Sequence, residues 1–129
     1  MKLDLKQKVL VAIYTEYQKD VPEMDNITQA LFDIDESKFI IALKKLENEQ
    51  QIVGVKLAEY VDGTFLLPNT MTQVMMTNRG IDYVENVLDI QPTLTGKEKA
   101  KAIFSKAGEL GFDQLKDFAA RVTAEMLKV

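Results

Sequence analysis

The sequence predicts an α+β fold that is mostly helical, and three features predict it. Apolar residues recur at three- and four-residue spacing before position 50, as amphipathic helices require. A valine- and isoleucine-rich stretch, Ile52 to Val61, then runs into Asp62-Gly63, a dipeptide suited to the positive φ of a tight hairpin turn. Beyond Gln91-Pro92-Thr93-Leu94 the helical spacing returns. The chain therefore divides into residues 1–90, helices carrying a β-hairpin, and residues 91–129, a helical hairpin that packs on the core or dimerises.

The first helix is expected over residues 3–19, with Val9, Leu10, Ile13, Tyr14 and Tyr17 forming one apolar stripe. Val21-Pro22 stops it, because the residue before proline avoids helical geometry. Asp25 is the expected N-cap of a short second helix, 26–32, that buries Ile27, Leu31 and Phe32. Asp33-Ile34-Asp35 forms a turn, and Asp35 caps a third helix that ends near Gln50-Gln51. The return strand is expected at Thr64–Leu67 and again at Thr72–Met76, interrupted by Pro68-Asn69. Met71, Met75 and Met76 are expected to fill the core beneath the hairpin. Thr77 caps a fourth helix bearing Ile81, Val84, Val87 and Leu88, with Gly80 in its first turn where a side chain would crowd a neighbour. Thr95 and Glu98 form a capping box for a fifth helix with Ala100, Ile103, Phe104 and Ala107 on one face. Gly108 and Gly111 bracket a turn, and Asp113 is the expected cap of the last helix. Leu115, Phe118, Val122 and Met126 line one side of that helix as a candidate dimer interface.

A three-helix core with a β-hairpin wing is the architecture of a winged helix-turn-helix, which usually sets its third helix in the DNA major groove. On a helical wheel of residues 36–50, Phe39, Leu43 and Leu46 gather on one side with Ile40 flanking them. The other side carries Ser37, Lys38, Ile41, Lys44, Lys45 and Asn48, with every lysine of the helix and no acid. Glu36 and Glu47 fall toward the core side. Lysine suits phosphate or guanine, serine and asparagine suit base edges, and isoleucine suits a thymine methyl. Those six residues are the candidate nucleic-acid-binding set. Asp62-Gly63-Thr64 at the wing tip, with Glu59 nearby, argues against the wing touching phosphate. Lys2, Lys6 and Lys8 read as a solvated helix end, and Lys97, Lys99, Lys101 and Lys106 as a solvated face.

Composition narrows the function further. Net charge is −4, but residues 1–89 hold 9 basic and 15 acidic side chains while residues 90–129 hold 7 and 5. Overall acidity weakens non-specific attraction to phosphate without forbidding a local patch. Cysteine and histidine are both absent, which removes disulfides, thiol catalysis, the usual zinc ligands and the commonest general base. No catalytic residues, metal or cofactor are expected, and an enzyme is the least expected class. No apolar run approaches a membrane span, and the charged N-terminal segment Met1 to Lys8 is unlike a signal peptide, so a cytoplasmic protein is expected.

Three motifs carry a resemblance: Phe39-x-x-Ala42-Leu43-x-x-Leu46, Gln51-Ile52-Val53-Gly54-Val55, and Met76-Thr77-x-x-Gly80-x-x-Tyr83-Val84. Over roughly the first 88 residues the chain resembles winged-helix proteins, and within them the small bacterial and prophage YjcQ-like family. The resemblance implies a small soluble domain and brings no catalytic residues. Two functions follow: a DNA-binding, regulator-like protein using the third helix, or a protein-interaction module that has kept the fold and does not bind DNA.

Overall fold

The computed structural model describes residues 1–59, 65–66 and 71–127, with 58–59 and 65–66 described by their backbone alone. Helix α1 (Leu5–Tyr17) is the most enclosed element, with every residue from Val9 to Glu16 buried. One apolar stripe is what its sequence predicts; the structure covers it all round. Asp4 caps it in a box with Gln7, each side chain bonding the other's backbone N–H at 2.8 and 2.9 Å. Thr15 tolerates its burial because its hydroxyl donates to the Val11 carbonyl at 2.7 Å.

The segment expected as a helix from 26 to 32 is instead a 3₁₀ turn, Met24–Asn26, followed by the four-residue α2 (Gln29–Phe32). Asp25 lies inside that turn, and Thr28 holds the N-cap position of α2 without a side-chain bond. Asp33 ends α2 in the left-handed region at φ 54°, and the chain turns into α3 (Glu36–Asn48). Phe32 stacks on Phe39 with ring centroids 5.8 Å apart and touches Phe112 at 5.6 Å, tying α2 and α3 to the C-terminal hairpin.

Among the described residues four short strands follow: β1 (Ile52–Val53), β2 (Ala58–Glu59), β3 (Phe65–Leu66) and β4 (Met75–Met76). They pair antiparallel in two nested ladders, β1 with β4 and β2 with β3, registered as Ile52↔Met76 and Ala58↔Leu66. Gly54 follows β1 at φ 86°, and a Cβ there would lie 2.0 Å from the Gln73 carbonyl oxygen. Met71 and Met76 are buried as expected, whereas Met75 is exposed opposite exposed Val53. The expected turn at Asp62-Gly63, Pro68-Asn69 and the Glu59 side chain lie outside the described residues.

Helix α4 (Asn78–Leu88) begins at Thr77, whose hydroxyl accepts from the Gly80 N–H at 3.0 Å. Helices α5 (Gly96–Lys106) and α6 (Asp113–Met126) form the expected hairpin, and both touch α1. Residues of both halves of the chain, from Leu3 to Val122, share one hydrophobic core. The stripe expected as a candidate dimer interface lies against that core. Leu115, Phe118 and Val122 are buried within the chain and Met126 is half-buried, so their stripe is already covered in cis. The reason is the second apolar face of α1, which the hairpin occupies. Asp113 is not the cap of α6 either. Phe112 holds that position, buried against Phe32 with the Lys8 ammonium 5.6 Å from its ring, and Asp113 starts the helix.

Two buried charge clusters fasten the hairpin. Glu85 of α4 accepts at Oε2 from the Tyr14 hydroxyl and from the Lys99 ammonium, both at 2.7 Å. Lys19 reaches Glu16 at 2.7 Å and Glu125 at 2.6 Å, joining the end of α1 to α6. Burial raises the Tyr14 phenol above its ordinary 10.0, and the hydrogen bond and negative charge of Glu85 raise it further. For Lys19 burial pulls down, but the hydrogen bonds to Glu125 and Glu16 prevail and hold it above 10.5. Both groups keep their protons longer when folded, so their stabilisation is intact below the ordinary values and drains away as pH rises beyond them. Urea unfolding at stepped pH should show stability falling above about pH 10. Tyr14→Phe, which removes one of the two groups, should make that fall shallower; an unchanged slope would contradict the assignment.

Candidate nucleic-acid interface

Helix α3 starts where Asp35 caps it, its carboxylate accepting the Lys38 N–H at 2.9 Å. Phe39, Ile40, Ala42, Leu43 and Leu46 are its buried face. The other face is solvent. Ser37, Lys38, Ile41, Lys44, Lys45 and Asn48 are all exposed, as the wheel predicts, and Ile41 retains 50% of its surface. The structure thus keeps all six candidate residues together on one side of one rigid element.

The acids of α3 stand at its ends. Glu36 and Glu47 are exposed, although the wheel turns them toward the core side. Glu47 Oε2 accepts the Val55 N–H at 3.0 Å, which secures the chain leaving β1. Glu49 pairs with Lys6 of α1 at 2.7 Å. Among the described residues no ion pair engages Lys38 or Lys45. An exposed pair of that kind leaves positive potential at the helix surface, screened over about 10 Å at ordinary salt.

A joint at the end of α3 fixes its relation to α4. The Thr77 hydroxyl donates to the Gln50 carbonyl at 2.6 Å while its N–H donates to Gln51 O at 3.2 Å. Gly80 sits so close that a Cβ would lie 2.1 Å from the Gln51 carbonyl oxygen. The crowding expected at Gly80 is therefore real, and its neighbour is backbone.

Lys2 is exposed, as its place at a solvated helix end predicts, but three other lysines are less available than their sequence suggests. Lys6 is paired with Glu49, Lys8 lies over Phe112, and Lys99 is drawn inward to Glu85. Lys101 stays exposed, with Lys97 and Lys106 half-exposed. The Tyr14–Glu85–Lys99 cluster escaped sequence reading. Its signal was Glu85, an acid beside Val84 on the apolar side of α4, which requires a buried partner that the sequence does not name. No group of three or more metal-ligating side chains occurs among the described residues, and no helix there is long and apolar enough to cross a membrane.

Comparison with curated proteins and with solved structures found no match. The YjcQ protein family matches residues 7–99, which span α1 through the first turn of α5 and contain all of α3 and the whole Tyr14–Glu85–Lys99 cluster. That stretch is well over half of the chain, and the chain belongs to the YjcQ protein family.

Proposed function

We propose that the chain is a winged helix-turn-helix protein of bacterial or phage origin that binds double-stranded DNA through α3. The observation that carries this reading is the exposed face of α3, where three lysines, Ser37, Asn48 and Ile41 stand together, with the exposed acids Glu36 and Glu47 confined to the two ends of the helix. The short α2, the three-residue turn at Asp33 to Asp35, the nested hairpin and α4 support the same architecture. In this reading Lys38, Lys44 and Lys45 meet phosphate or guanine, and Ser37, Asn48 and Ile41 read base edges. The acidic chain as a whole repels DNA, so binding is salt-sensitive and depends on this patch.

Fluorescence anisotropy against a mixed-sequence duplex, titrated from low to physiological salt, tests the proposal. Lys38→Glu/Lys45→Glu should weaken binding by about tenfold or more and flatten the salt slope by about two. Unchanged binding by the double variant would remove α3 as the site. The exposed Ile41 favours a second reading, a protein-interaction module using the same face. Absence of duplex binding even at low salt decides for it.

A further inference from the structure

The outer face of the C-terminal hairpin carries an apolar groove that the DNA-binding reading does not use. Phe104 and Ser105 of α5 form one wall, and Ala120, Thr123, Ala124 and Leu127 of α6 the other, around a volume of about 470 Å³. Phe104, expected on the inner face of α5, points outward and keeps 39% of its surface, and Leu127 keeps 58%. The exposed alanines Ala120 and Ala124, one turn apart, leave room between these larger side chains.

Among the described residues Lys101 is the only charged one lining the groove. The Lys116 ammonium lies 5.5 Å from the centre of the Phe104 ring. No acid is among the described residues that line the groove. Glu98, one turn before Lys101, is engaged by its Oε1 accepting the Thr95 N–H at 2.9 Å in the capping box, Glu125 is held by Lys19, and Asp117 lines a separate groove beside Asp25 and Leu31. Pairing two copies of this face by symmetry would bring their lysines together, which argues against self-association.

We propose that this groove receives an acidic amphipathic helix of a partner protein. Large apolar side chains at i and i+4 of that helix enter between Phe104 and Leu127, and its carboxylates meet Lys101 and Lys116. The groove lies beyond residues 7–99, so the partner is particular to this C-terminal segment rather than to the family-matched stretch.

The test uses the full chain and two labelled helical peptides of about 18 residues with leucines at i, i+4 and i+7. One is flanked by glutamates and the other by lysines. Anisotropy should show the glutamate peptide binding at least about tenfold more tightly, with Ala120→Arg weakening it by about tenfold or more. Lys101→Glu/Lys116→Glu should reverse the preference, which keeps the test decisive if Ala120→Arg fails to fold. Lys38→Glu/Lys45→Glu should leave peptide binding unchanged, separating this site from the α3 reading. Equal affinity for the two peptides, or no binding of either, overturns the proposal. So does a dimer by sedimentation that Ala120→Arg dissociates, or binding of anionic phospholipid vesicles in place of the acidic peptide.

Discussion

Lys99→Ala is expected to destabilise the fold by about 3–5 kcal/mol, because it leaves the Glu85 carboxylate buried without its cation. Glu85 is only 5% exposed, and its Oε2 would keep just the Tyr14 hydroxyl at 2.7 Å. The attraction between buried charges offsets their desolvation only while both are present. Removing one exposes the whole penalty of the other, whereas removing the cluster together does not. The triple variant Tyr14→Phe/Glu85→Leu/Lys99→Met should therefore recover most of the lost stability. Urea titration of wild type, single and triple variants at neutral pH measures both effects. A loss below about 1 kcal/mol for Lys99→Ala would show that Glu85 has access to water or a proton. The effect reaches the hairpin directly, since Lys99 is the residue of α5 that holds it to α4.

Gly80→Ala is expected to lower stability by about 1–3 kcal/mol through overpacking. The added Cβ would stand 2.1 Å from Gln51 O and 3.0 Å from its carbon. These are backbone atoms, so no rotamer change relieves the clash; α4 must move away from the end of α3. That movement strains the Thr77 bonds to Gln50 and Gln51 as well. Gly108→Ala is the control, because a Cβ there meets nothing within 4 Å and its φ is not positive. Urea midpoints of the two variants should differ, with only Gly80→Ala shifted well below wild type. Equal midpoints would mean that α4 slides without cost.

Helix starts and the two faces of α3 were legible from sequence. Asp35, Thr77 and Thr95 cap their helices as predicted, each side chain bonding a backbone N–H three residues on. Such bonds are local, so residue type and spacing determine them. The same holds for the α3 wheel, whose exposed arc follows from a period of about 3.6 residues. Where burial competes with capping, local rules lose. Phe112 enters the core at the start of α6, and Asp113 is displaced from the cap.

Local sequence pattern sufficed for the mostly helical α+β class, three helix caps and the exposed residues of α3. What covers each apolar stripe depends on contacts between elements far apart in the chain. Leu115, Phe118 and Val122 announce a face that must be buried, but periodicity is silent on whether α1 or a second copy buries it. Lys99 looks like one more solvated lysine until α4 brings Glu85 beside it, and Tyr14 meets Glu85 across 71 positions of chain. Phe104 reads as core and stands in solvent beside Lys116. Hydrogen bonds within one turn are set by neighbours in sequence, whereas burial and charge pairing are set by which surfaces the folded chain brings into contact.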